Sequence, residues 1–460
     1  MTSGPRIVIV GGGSYHWAPR LLCDFANTPS LENASVVLHD LDAERLKLME
    51  ELGGEIARRR GIGLTTMAEL DRKRALACAD FVITCFSVGG FDSMQHDIEI
   101  PRRYGIRQPI GDSVGPGGVL RALRSVPVLL DIARDVESIA PDAWFVNVTN
   151  PLTALCRSVT RATAVKTVGL CNEWVGATFN LSLALDCGMA DLDPVLAGVN
   201  HFPLAVALQV NGEDGFAKLR ALMDDPDRAA TEHIWMDPPP AMHWTKVSSA
   251  DYWSKLDVIE NNRVRFEILR RFGVFPGSGD HHSVEFMPGF VHPGNEYGTH
   301  WRVHHYGMEG HRADAASDVE HYESVRDADD VTRMPSGELV AMLLDGIVTG
   351  KARSLPVNLP NRGNVSNLAD GAVVEIIGIA DGAGVRGRDQ ATAPGIMGEF
   401  LRRINTVQEW TVEAALTGDR TLVLEAMMAD PMAGQLAYDD IVTMTDEMLE
   451  ATAPWLPQFA

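Results

Sequence analysis

The sequence predicts an α/β protein in two parts: a doubly wound parallel sheet over residues 1–195, then a mixed α+β domain over 196–460. Three observations predict it. A β-branched run, "RIVIV" (6–10), stops abruptly at "GGGS" (11–14) and gives way to a helical pattern from Tyr15 to Ala26. Short buried strands then alternate with amphipathic helices, as βαβ units require. After "AGVNHF" (197–202) that alternation fades. The first part therefore reads as a Rossmann-type nucleotide-binding domain, the second as a substrate-binding and oligomerisation domain.

Each element follows from its pattern. "SVVLHD" (35–40) is a second strand, and apolar positions at helical spacing make 42–60 an amphipathic helix. "DFVITCF" (80–86), "WFVNV" (144–148) and "AVKTVGL" (164–170) are further buried strands, with helices over 118–138 and 151–161 between them. Beyond residue 202, helical patterns cover 254–272, 337–349, 396–417 and 436–452, and a strand-rich stretch covers 357–376. The histidine-rich segment 290–330 reads as an irregular loop.

Composition sets limits. With 45% hydrophobic and 22% charged residues, the chain is that of a globular protein. No apolar run approaches the roughly 20 residues of a membrane span, and the N-terminus lacks signal-peptide anatomy. A net charge of −22 argues against nucleic acid and anionic membrane surfaces as partners. Six cysteines without paired spacing suit reduced thiols and a cytoplasmic location.

The chemistry-bearing residues cluster at strand ends. Gly11, Gly13 and Ser14 offer backbone amides at a helix N-terminus, where a pyrophosphate is favoured. His16 occupies the third glycine position of the full dinucleotide pattern, so a plain strand-turn-helix is the competing reading. Asp40, closing the second strand, is placed to bind the ribose hydroxyls of NAD and to repel the phosphate of NADP, although "HDLDAE" contains other acids. Cys171 and His201 each follow a strand. They read either as ligands of a divalent ion open to substrate oxygens or as a buried thiol and a satisfied core histidine. Asn150, in "TNP", either binds sugar hydroxyls or makes a turn before proline. "GSGDHHSVEFMPGF" (277–290) supplies Asp280, His281, His282 and Glu285 as a base or as metal ligands.

Seven segments in order resemble the NAD- and metal-dependent glycosidases of glycoside hydrolase family 4: "GGGS", "YGIRQPIGDSVGPGGVLRALRSVP" (104–127), "NVTNP" (147–151), "GLC" (169–171), "NHF" (200–202), "GDHHSVEFMPGF" (279–290) and "VNLPNRGNVSNLADG" (357–371). This family stands outside the two-carboxylate rule of most glycosidases. The resemblance implies that Cys171 and His201 bind a divalent ion, typically manganese, chelated by sugar O2 and O3. His201, Asn150 and Asn172 would contact the sugar, with Asn150 also beside the NAD. Asp112 would lie near metal and nicotinamide, and Asp280 would be the base that removes the C2 proton.

The resemblance further implies a homodimer or homotetramer acting on an α-glycoside. The "RQPIGDS" form (107–113) is closer to the galactosidase and uronidase branches than to the phosphoglycosidases. "NEW" (172–174) departs from the family pattern, which has histidine or an acid where this chain has Asn172, a side chain unable to act as a general acid. That departure resembles the related NAD-dependent sulfoquinovosidases. An α-sulfoquinovoside, or another α-glycoside anionic at C6, is the expected substrate, with α-galactoside, α-glucoside and α-hexuronide as alternatives. Arg102, Arg103, Arg107 and Lys246 are the basic residues near matched segments. A simple NAD-dependent sugar or hydroxyacid dehydrogenase is the rival enzyme class, and an NAD-responsive sensor the non-enzymatic one.

Overall fold

Strand β1 (Arg6–Val10) is a β-branched run with its last four residues buried, and it forms the centre of a parallel sheet. The computed structural model describes residues 4–224, 255–329 and 336–459. With β2 (Ser35–His39), β3 (Thr65–Glu69), β4 (Phe81–Thr84), β5 (Trp144–Asn147) and β6 (Lys166–Gly169), the parallel strands lie in the order β3-β2-β1-β4-β5-β6. That is the Rossmann order, in which ligands bind at the carboxyl edge where strand order reverses. The doubly wound expectation holds.

The glycine turn is sterically determined. Gly11 has φ +99°, and a Cβ there would lie 2.2 Å from the Cys85 carbonyl oxygen. The turn opens helix Trp17–Ala26, whose first turn receives a cap from Ser14 Oγ, which accepts the Trp17 amide at 3.1 Å.

The sheet continues past β6 in antiparallel fashion. β7 (Leu192–Val199) and β8 (Phe202–Val210) form a hairpin, β9 (Glu213–Asp214) and β10 (Phe275–Pro276) pair with β8, and β11 (Arg353–Pro360), β12 (Val373–Asp381) and β13 (Gly384–Gly387) complete it. Only one residue pair joins β6 to β11, Gly169 with Asn358, and one joins β12 to β7, Glu375 with Gly198. Since Asn358 also faces Glu375, the four residues form one transverse row. Cys171 lies two residues beyond one end of it, and Asn200 and His201 just beyond the other.

One expectation is corrected. Segment 290–330 is not an irregular loop, because it contains helix Gly307–Asp327. Its buried residues are only Met308, Tyr322 and Val325, too sparse an apolar stripe to read as a helix. The expected patterns over 396–417 and 436–452 appear as helices Gly395–Thr417 and Tyr438–Ala451. Among the described residues, no helix is long and apolar enough to cross a membrane.

Candidate active site

The β7–β8 turn consists of Asn200 and His201 alone, since Val199 pairs with Phe202. His201 takes a left-handed backbone there, φ +62°, which a non-glycine residue adopts only where its surroundings impose it. Asn200 anchors the turn by donating to Glu375 Oε2 at 3.1 Å. The buried imidazole of His201 is thereby held beside Cys171 at the carboxyl edge of β6, near enough that each shifts the other's ionisation.

The loop before helix Gly115–Ile139 supplies the other side. Ser113 Oγ lies 2.8 Å from His201 Nδ1 and donates to Asp112 Oδ1 at 2.8 Å. Asp112 Oδ2 accepts from Asn150 Nδ2, also at 2.8 Å. Asn150 follows β5, and its carbonyl accepts from Arg121 Nε at 3.1 Å. Glu285, fully buried, fixes this loop from a distance: its Oε1 accepts the amides of Ile110 and Gly111, both at 2.8 Å.

The His281–His282 pair closes the group. The ring of His282 lies 3.8 Å from that of His201, centroid to centroid. Ligand atoms of Asp112, His201 and His282 lie within 4.8 Å of one another, and so do those of Glu173, His281 and His282. Glu173 also accepts the Gly279 amide at 2.9 Å.

Burial would drive these groups neutral, and their mutual charges decide otherwise. Burial favours raising the Asp112 carboxyl, yet the bond and charge of His201 hold it well below the usual range. Burial likewise favours neutral His201, but the charges of Cys171 and Asp112 hold it well above the ordinary histidine value. Glu173, half-buried beside His282, His281 and His201, is held down to about 2. Burial lowers both His281 and His282.

The structure brings together Asp112, Asn150, Cys171 and His201 from the predicted residues. It does not bring Asp280 to them. The Asp280 carboxylate is 7% exposed and accepts the amides of Val264 at 2.9 Å and Arg265 at 3.0 Å, where helix Arg263–Phe272 begins. An acid that satisfies two orphan helix amides is engaged structurally. Asn172 donates its amide to Glu338 Oε1 at 3.0 Å. At the nucleotide turn, Asp40 Oδ2 accepts the Gly13 amide at 2.9 Å. Arg103 pairs with Glu447, and Arg107 stacks on Tyr297 at 4.0 Å. Lys246 lies outside the described residues. Glu173, Ser113 and Arg121 had no assigned role in the sequence, although Glu173 stands two residues from Cys171.

The Family 4 glycosyl hydrolase model matches residues 6–187, and the Family 4 glycosyl hydrolase C-terminal domain model matches 196–433. The chain belongs to glycosyl hydrolase family 4. Within the family it is 29% identical over 460 residues to an α-galactosidase of Bacillus subtilis (strain 168), covering 99% of both chains. It is 28% identical over 478 residues to an α-galacturonidase of Lachnoclostridium phytofermentans, covering 99% of this chain and 97% of that one. The crystal structure of Bacillus subtilis lplD superposes with a TM-score of 0.84 at 27% identity, covering 97% of this chain and 100% of that one. A 6-phospho-α-glucosidase from gut microorganisms, solved in complex with NAD and Mn2+, shares the fold at a TM-score of 0.78 and 20% identity, covering 99% and 100%. This family 4 member is thus a glycoside-hydrolysing enzyme.

Proposed function

We propose that the chain hydrolyses an α-hexoside by transient oxidation at C3, loss of the C2 proton, elimination and addition of water, using NAD and a divalent cation, manganese first. One observation carries the reading: Asp112, Asn150, Cys171, His201 and His282 converge at the carboxyl edge of a Rossmann sheet whose glycine turn faces Asp40. The donor set fits a cation, since thiolate, imidazole and carboxylate are all first-row metal ligands. Buried His282 Nδ1 also has no hydrogen-bond partner among the described residues. Cys171 and His201 would hold the ion, with Asp112 and His282 beside it. Gly11, Gly13 and Ser14 would receive the pyrophosphate, Asp40 the ribose and Asn150 the sugar.

When bound, NAD supplies a hydride acceptor and the cation a Lewis acid, which together make the C2 proton acidic. The chain's own residues then move protons. With Asp280 engaged elsewhere, the base becomes His281, kept neutral by burial and backed by the Glu173 carboxylate, which stabilises the imidazolium as it forms. Arg265 is buried with its Nε 3.7 Å from the Asp280 carboxylate, and Glu173 adds to the negative field around it. The departure at Asn172 keeps an α-sulfoquinovoside or another α-glycoside anionic at C6 first, with α-galactosides, α-glucosides and α-hexuronides as alternatives. The reading includes a homodimer or homotetramer in the cytoplasm.

The test is turnover of an α-glycoside panel in deuterated water with catalytic NAD, with and without manganese. The expected product carries deuterium at C2 and consumes no net NAD. Stoichiometric NADH would indicate a simple dehydrogenase, and product with protium only at C2 would eliminate the proposed route.

A further inference from the structure

A glycosidic oxygen that departs as an alkoxide leaves slowly unless a proton reaches it as the bond to C1 breaks. Asn172, beside Cys171, has no titratable proton to give. Its amide nitrogen instead donates to Glu338 Oε1 at 3.0 Å. Glu338 is half-buried just before helix Val340–Thr349, and its Oε2 makes no hydrogen bond among the described residues. A side-chain N–H fixed on one carboxyl oxygen leaves the other oxygen to carry the proton. The charged groups facing Glu338 are Arg20, which favours the carboxylate, and Asp24, which opposes it. Burial outweighs Arg20 and pushes the carboxyl up to about 7, so much of it is protonated near neutrality.

We propose that Glu338 is the acid that protonates the leaving glycosidic oxygen, and that Asn172 positions it. The assignment rests on the elimination route proposed above. As the electron pair left by the C2 proton forms the C1–C2 double bond, the C1–O bond breaks with its pair on oxygen. The proton of Glu338 Oε2 moves to that oxygen, the alcohol departs, and Glu338 is left as carboxylate. It then takes a proton from the water whose oxygen adds to C1, while the base, having exchanged its proton with solvent, delivers a solvent-derived proton to C2. Both groups recover their starting states. An acid outside the "CNE" segment, brought in by the C-terminal half, would explain how Asn172 is tolerated.

The test compares leaving groups in the full-length, NAD- and manganese-loaded enzyme. Glu338→Gln should slow an alkyl α-glycoside by about 100-fold or more, while a 4-nitrophenyl α-glycoside, whose anion leaves unaided, should slow by less than about fivefold. Nitrophenyl turnover by the variant in deuterated water should still place deuterium at C2. Equal losses on both substrates, or none on either, would overturn the assignment. If Glu338→Gln fails to fold, Asn172→Ala leaves the acid in place but unheld and should give a smaller loss of the same selective kind; a uniform loss would count against it. A wild-type enzyme that leaves no deuterium at C2 would overturn the elimination route instead, and the leaving-group contrast would still decide whether Glu338 is the acid.

Discussion

His201 combines two demands that a substitution can separate. Its imidazole lies beside Cys171, and its backbone sits at φ +62°. Replacement by alanine would keep the unfavourable backbone and confuse stability with ligation, whereas His201→Gly relieves the backbone and removes only the ring. His201→Gly should therefore melt no lower than wild type yet bind manganese more than about 100-fold more weakly, beyond what loss of an outer-shell partner costs. Calorimetric titration would show it, with Cys171→Ser as the matching variant. Unchanged manganese affinity in both would make the pair structural. Cys171 and His201 were legible as a pair because each follows a strand, and strand ends meet at one edge. Asp280 shows the limit of a local pattern: in "GDHHSVEF" the acid most like a base also accepts the amides of Val264 and Arg265. Glu285 and Glu173 work through amides 174 and 106 residues away, at Gly111 and Gly279, a relation no local pattern contains.

Helix Gly307–Asp327 shows the same limit one level up. Polar contacts fasten it more than an apolar stripe does, so its sequence reads as loop. Asp318 accepts from Arg20 Nη1 at 2.9 Å and lies 2.9 Å from His16 Nδ1, while Tyr322 meets Tyr15 edge-on at 5.2 Å. At its other end Tyr306 donates its amide to the Pro109 carbonyl at 2.9 Å, in the loop that carries Asp112. The helix thus bridges the glycine turn and the loop that carries Asp112. His16, which broke the glycine pattern in the sequence, is explained by this contact. Asp318→Asn removes a charge partner from Arg20 and His16, where hydrogen bonds to charged groups are worth about 1.5–3 kcal/mol. The variant should bind NADH roughly tenfold or more weakly by fluorescence titration. Wild-type affinity would show that the helix only packs against the turn. Strand β3 was also missed, since "TTMAE" at the sheet edge has no buried residue and carries little apolar signal.

Across the molecule, the doubly wound parallel sheet was legible from the alternation of strands and helices, while its edge strand β3, its strand order and the joining of the halves were not. That junction passes through single ladder pairs, with Asn358 and Glu375 buried in the row between Gly169 and Gly198. A carboxylate buried there is costly when charged. Burial pushes the Glu375 carboxyl up to about 7, against the lowering effect of its bond from Asn200. The sign follows from proton counts. Between the usual glutamate range and about pH 7, the folded protein holds a proton that the unfolded chain has released, so stability falls as pH rises through that window. The slope for one such group is at most about 1.4 kcal/mol per pH unit. Glu375→Gln keeps an oxygen for Asn200 and removes the ionisation. In chelator-treated protein at fixed ionic strength, its melting temperature relative to wild type should therefore rise from pH 5 to pH 7.5 and level off above. Taking the difference between the two proteins cancels the opposing contributions of His281 and His282, whose values burial lowers. A pH-independent difference would mean that Glu375 stays charged in the folded protein, paired more strongly than its single bond to Asn200 indicates. A difference that shrinks as pH rises would reverse the sign and make the buried carboxylate a stabilising anion in the row that joins the two halves.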